Sequence, residues 1–214
     1  ITALTPDLIT PLHISDGSPT DHDTGDSEGL ALGPDGTVYI SFEGLARVAA
    51  YPDVTGPAVR IPRYPAFDAL QPNASLEALA IDEDGALYTL PERSGRATRP
   101  FPVYRYKDGT WTTAFEVMRE GPFLPVGADI GPDGLFYLLE RDFTGIGFRS
   151  RVRRFDMTGG QAKTLSETRT GVHDNLEGLS VWRDHTGTIR LTLISDDNFK
   201  FFQTTEVVEY RVTD

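Results

Sequence analysis

Three glutamates stand at matched places in this sequence: Glu28 in DSEGLALGPDGTVYISFE, Glu77 in LEALAIDEDGALYTLPE and Glu177 in LEGLSVWRDHTGTIRLTLISDD. A further copy of the pattern, VGADIGPDGLFYLLER, has Val126 in that place and Asp129 three residues on. Carboxylates gathered at one point cannot all stay ionised and unpaired at low cost; they take up a cation, a proton or an arginine. The chain has no cysteine and four histidines, so an all-oxygen site is expected to select a hard ion, Ca²⁺ first and then another divalent cation such as Mg²⁺ or Mn²⁺. The candidate metal ligands are Glu28, Glu77, Glu177, Asp129 and Asp197, with Asn175 beside them. The competing reading has each glutamate accepting backbone N–H groups from the neighbouring repeat and stapling it in place.

A second series lies eight residues beyond the aspartate of each Asp-Gly turn: Glu43, Glu92 and Arg141, the last preceded by Glu140. The fourth copy offers Asp196-Asp197-Asn198 instead. Arg141 suits an anion because the guanidinium fork matches phosphate or carboxylate oxygens, or it pairs with Glu92 or Glu43. His22 and His173 each precede a glutamate of the first series and could move a proton near a metal. Glu77, Arg141 and His173 form the candidate catalytic set. There is no G-x-S-x-G nucleophile elbow, no H-E-x-x-H and no phosphate-cradling glycine loop. DHDTGD lacks the spaced ligands and terminal Glu of a helix–loop–helix calcium site.

The elements that would position these groups recur. Asp35-Gly36, Asp84-Gly85 and Asp133-Gly134 are each 49 residues apart, and Thr186-Gly187 is the displaced fourth. A later landmark, Tyr51, Tyr106, Phe155 and Tyr210, recurs at intervals of 55, 49 and 55. Asp-Gly between short β-branched and aromatic runs is a strong hairpin signal, since Gly tolerates positive φ. A third strand follows each hairpin, and VRIPRY, TTAFEVM and KTLSET supply a fourth in the first three units. Four short antiparallel strands repeating at about 50 residues describe an all-β chain folded as the blades of a β-propeller. An irregular sandwich of look-alike hairpins is the competing architecture. The units run over residues 27–75, 76–125, 126–174 and 175–214 of a single domain. ITALTPDLITPLHI reads as one or two more strands, so residues 1–26 are expected to be the remnant of a preceding blade in a ring larger than four.

Composition narrows the partners. A formal charge of −12 over 214 residues repels a nucleic-acid backbone or an anionic membrane surface. No apolar run approaches the roughly 20 residues of a spanning helix. The absence of cysteine removes disulfides, thiolate zinc sites and cysteine nucleophiles.

DSEGLALGPDGTVYISFEGLARV, LEALAIDEDGALYTLPER, GADIGPDGLFYLLERDF and NLEGLSVWRD…LTLISDDNF together resemble the phytase-like domain family, described as having esterase-like activity of phytase. The likeness runs from about Leu8 to the end of the chain. It implies a secreted or periplasmic bacterial propeller that hydrolyses phosphate or carboxylic esters with the help of a metal, so the expected partner is a small-molecule ester or phosphorylated ligand. Members usually begin with one more unit containing a Ser-Asp-Arg-Gly stretch, which this sequence lacks. The alternative function is a non-catalytic binding propeller with a structural acidic ring, using loops such as GFRS, NFKFF and RYPAF as its surface. Oligomeric state is left open.

Overall fold

The computed structural model describes residues 9–71 and 73–213. Among the described residues, fifteen strands form four antiparallel sheets, set around one axis in the arrangement of a four-blade β-propeller. Blade 1 holds β1 (Ser27–Leu32), β2 (Val38–Phe42), β3 (Arg47–Tyr51) and β4 (Val59–Arg60); blade 2 holds β5 (Leu76–Ile81), β6 (Leu87–Pro91), β7 (Phe101–Lys107) and β8 (Thr110–Val117). Blade 3 holds β9 (Leu124–Ile130), β10 (Phe136–Phe143), β11 (Phe148–Phe155) and β12 (Lys163–Glu167); blade 4 holds β13 (Leu176–Arg183), β14 (Ile189–Ser195) and β15 (Val207–Arg211). Within each blade the strands pair in chain order, as Asp-Gly hairpins dictate. Gly36, Gly85, Gly134 and Gly187 all take positive φ, between 73° and 85°, where any side chain would strain the turn.

The core lies between blades. Ala31, Val48, Leu79 and Leu87 join blades 1 and 2. Ala78, Phe115, Phe136 and Phe155 join blades 2 and 3. Val126, Leu139, Val181 and Leu191 join blades 3 and 4. The first strand of each blade lines the axis, with β1 against β5, β5 against β9 and β9 against β13. No comparable packing joins β13 to β1 among the described residues, and Leu30 and Leu32 of β1 stay 64% and 61% exposed.

Two expectations change. RYPAF is no surface loop: its Phe67 is 2% exposed and plugs the layer between blades 1 and 2 with Tyr104 and Trp111. Pro62 cannot donate to a ladder, so β4 stops at Arg60 and the chain turns into a 3₁₀ segment, Pro65–Ala69. In the N-terminal stretch, Ile1–Leu8 lies outside the described residues, and the rest makes only single-residue bridges, from His13 to Pro19 and to Pro57. Its Leu12 still covers the outward face of blade 1 beside Ile40 and Tyr51.

Close approach of the inner strands depends on small residues. A Cβ on Gly29 would sit 2.7 Å from the Leu79 nitrogen and 2.8 Å from the Glu77 carbonyl oxygen, both backbone atoms of blade 2. Gly29→Ala is therefore expected to part β1 from β5 and cost about 1–3 kcal/mol in urea unfolding; an unchanged midpoint would mean that the strands separate freely.

Candidate functional site

The first strand of every blade carries one extra residue, which breaks the register with its partner. The shift falls between Leu76 and Ala78 in β5 and between Leu176 and Gly178 in β13, which leaves Glu77 and Glu177 unpaired in the ladder. It falls between Ser27 and Leu30 in β1, a step that contains Glu28. In β9 the residue skipped is Val126. A bulge re-aims the side chain that it carries. The matched glutamates of the sequence are bulge residues, and this turns them toward the axis.

They meet there. Glu28, Glu77 and Glu177 line one open cavity of 1940 Å³, running from the axis into the gap between blades 4 and 1, together with Glu43, Glu92 and Arg141. Glu77 stands in the field of both the Glu28 and Glu43 carboxyls, and carboxyls this crowded share protons rather than all ionise. Burial, and then the charges of Glu28, Glu43 and Glu92, push Glu77 up to about 10 against the pull of Arg141. Glu28 is pushed up to about 7 by the surrounding protein and then by Glu43, Asp26 and Glu177, although the residue as a whole is exposed. Glu43 is raised by burial, the effect held back by hydrogen bonds from Glu77 and the Ser75 backbone. Glu177 is raised by burial and opposed by Arg141 and Asn175.

Arg141 is paired rather than free. It donates through Nη1 to Asn175 Oδ1 at 2.7 Å and to Glu177, and through Nη2 to Glu92 Oε1 at 3.2 Å. One guanidinium thus ties blade 3 to blades 2 and 4. Its neighbour Glu140 belongs to the frame. With no exposed surface, it accepts from Arg151 Nε at 2.8 Å and from Arg153 Nε and Nη2 at 2.7 and 2.6 Å.

The remaining candidates lie apart. Asp129 lines the same cavity but turns to the backbone, accepting from Val181 N at 2.6 Å and Ile130 N at 2.8 Å, and burial pushes it up to about 6. Asp197 instead builds its own turn, accepting from Phe199 N at 2.8 Å and Thr205 Oγ1 at 3.0 Å. His173 lines a second cleft, where Nε2 lies 2.6 Å from Tyr210 Oη and Nδ1 3.5 Å from Glu206. His22 is fully exposed beside Asp23.

One contributor lacked a signal in the repeats. Asp26, two residues before Glu28, joins Glu28 and Glu43 in a group whose carboxylate oxygens lie within 4.8 Å of one another. Three converging oxygens, free of sulfur and imidazole, fit a hard divalent cation. Only the DSE wording of the first unit could have pointed to it.

The phytase-like family model, described as esterase-like activity of phytase, matches residues 1–199. No curated protein matches the chain. Among solved structures, a PQQ-bound aldose sugar dehydrogenase from Streptomyces coelicolor is 16% identical with a TM-score of 0.60, over 96% of this chain and 64% of that one. Regucalcin, a calcium-binding protein from Agrobacterium tumefaciens strain C58, is 11% identical with a TM-score of 0.52, over 86% and 60%. A nidogen/laminin complex structure is 17% identical with a TM-score of 0.53, over 79% and 56%. At these identities the likeness is one of fold alone, and the chain spans less than two thirds of each of these proteins.

Proposed function

Because the chain belongs to the phytase-like family, we propose that it is a metal-assisted hydrolase of phosphate or carboxylic esters working at the mouth of its axial cavity. The observation that carries this reading is the meeting of Asp26, Glu28 and Glu43 oxygens within 4.8 Å, in the cavity that Glu77 and Arg141 also line. Asp26, Glu28 and Glu43 would hold the cation, with Ca²⁺ the leading candidate. Such an ion, when bound, polarises an ester or phosphoryl oxygen.

The chain's own groups do the rest. Glu77 holds a proton at ordinary pH and can pass it to or from a water or a leaving group. Arg141 keeps Nε–H and one Nη2–H without an acceptor among the described residues, and these can meet negative charge on a substrate oxygen. Glu92, Glu177 and Asn175 fix the plane of that guanidinium. Membership in the family also suggests export to the periplasm or the exterior.

A second reading has an observation of its own. Glu43 Oε1 accepts from Ser75 N at 3.2 Å and its carbonyl from Ser75 Oγ at 2.7 Å, stapling blade 1 to blade 2. On that reading the acidic ring is structural and the propeller only binds.

Hydrolysis of 4-nitrophenyl phosphate and 4-nitrophenyl acetate separates the two. The hydrolase is expected to lose activity with a chelator, and Glu77→Gln should cost at least about 100-fold in kcat. Activity surviving both treatments would overturn the metal-assisted mechanism. A folded, wholly inactive chain favours the binding propeller.

A further inference from the structure

A second cleft of 1210 Å³ opens beside the axial cavity, and Glu92 and Arg141 line both. Its two sides are the hairpin Phe143–Phe148, between β10 and β11, and the turn after β14 that carries Asn198 to Thr204. The Phe143 and Phe148 rings pack 5.1 Å apart at a tilt of 46°, and the Arg141 guanidinium lies 5.8 Å over the Phe148 ring. Phe202 lines the facing side and is 69% exposed. Apolar side chains this large, left in water at the mouth of a cleft, mark a binding surface.

In a molecule whose net charge is −12, the lining of this cleft balances four acids against four bases. Its acids are engaged within the protein. Asp142 accepts from Arg149 at 3.0 and 2.5 Å. Asp174 accepts from Asn175 N, Gln203 and Thr204 N. Glu206 accepts from Asp174 N, and Glu92 is paired with Arg93 and Arg141. Two lining cations have no carboxylate partner among the described residues. Arg119 reaches only the Gly121 carbonyl oxygen, at 3.5 Å, and lies 5.6 Å over the Phe101 ring. Lys200 Nζ lies 6.0 Å from the Phe202 ring.

We propose that this cleft binds a small aromatic oxyanion, with the ring between the Phe143–Phe148 pair and Phe202 and the carboxylate or phosphate held by Arg119, Lys200 and the unused N–H groups of Arg141. Aromatic rings pack edge-to-face or offset on such walls, and a guanidinium suits planar oxyanions. Because Arg141 and Glu92 separate the cleft from the glutamate cluster, a bound ligand sits next to the proposed hydrolytic centre. Calling it a substrate rests on the hydrolase reading; its binding does not.

Calorimetric titration with benzoate and phenyl phosphate, in the presence of chelator, tests the site. Both are expected to bind, benzylamine is not, and added salt should weaken the anions. Phe202→Ala is expected to weaken benzoate about tenfold. Lys200→Gln is expected to weaken it about threefold and flatten the salt dependence. Both side chains are exposed, and circular dichroism confirms that each variant is folded. Benzylamine binding as well as benzoate, or benzoate binding unchanged in Phe202→Ala, would overturn the proposal. Aromatic anions that bind while no ester is hydrolysed would support the cleft and sink the hydrolase. Hydrolysis of alkyl esters with no binding of either anion would do the reverse.

Discussion

Glu140→Ala is expected to unfold the chain or to remove about 3–5 kcal/mol of its stability. The reason is the company that Glu140 keeps. Arg153 is 1% exposed and spends its fork on Glu140, the Met118 carbonyl and Glu120, while Arg151 bonds Glu140 and the Glu120 carbonyl. Phe123 and Phe155 lie under the two guanidinium groups at 4.2 and 5.0 Å. Removing the carboxylate would leave two cations in a water-poor layer between blades 2 and 3 with only one partly exposed acid nearby. Urea unfolding reads the loss directly. Glu120→Ala, which removes that exposed partner, should cost no more than about 1 kcal/mol. Replacing Glu140, Arg151 and Arg153 together by Leu, Leu and Met should recover most of the stability, since an apolar triad of similar volume needs no counter-charge. A Glu140→Ala protein within about 1 kcal/mol of the parent would show that water reaches the layer.

The second large effect is an inverted response to pH. Without a divalent cation, the melting temperature is expected to fall by roughly 10 °C between about pH 5 and about pH 8. Glu77 is raised to about 10 and Glu28 to about 7 from an ordinary 4.5, so between those values the folded state holds protons that the unfolded chain has released. Stability is then complete below about pH 4.5 and declines as pH rises through the folded values. Asp129, raised to about 6, acts in the same sense. The lowered carboxyls, such as Asp16, Asp35 and Asp184, act in the opposite sense, but their window lies below about pH 4. Glu77 alone accounts for a loss on the order of 3 kcal/mol across that interval. Millimolar Ca²⁺ should reduce the decline to the share of Glu77, because a cation among Asp26, Glu28 and Glu43 takes over from the proton on Glu28. Glu77→Gln should flatten it without metal. Scanning calorimetry with chelator and with Ca²⁺ provides the measurement; a melting temperature that climbs from pH 5 to pH 8 in chelator would refute the crowding of these carboxyls.

The blades were legible because each rests on signals that repeat. The Asp-Gly turns gave the hairpins, and the 49-residue spacing put Glu28 and Glu77 at equal depth. Glu177 was found by wording rather than by count, since the β13–β14 hairpin is longer and displaces its turn. The inward aim of these three follows from an extra residue in each first strand, a backbone property that no residue type spells out. Asp197 spends one carboxylate oxygen on the backbone N–H of Phe199, two residues away, and short-range capping is invisible in a pattern of acids. Phe67 differs for the opposite reason: RYPAF is an aromatic stretch between strands, and its ring is drawn into the inter-blade layer by Tyr104 and Trp111. Asp26 stood outside both series.

The irregularity in the innermost strands separates two jobs that a regular strand would fuse. Because the protruding position contributes nothing to the hydrogen-bonded ladder, its identity can change while the blade persists, as Val126 demonstrates beside three acids. The hub is thus three acidic sockets on a fixed chassis, the fourth being filled by a side chain that packs into the layer between blades 3 and 4. New axial chemistry can be written at 28, 77 and 177 one substitution at a time, whereas deleting any one of these residues would return its strand to register and turn the neighbouring side chains to the wrong face.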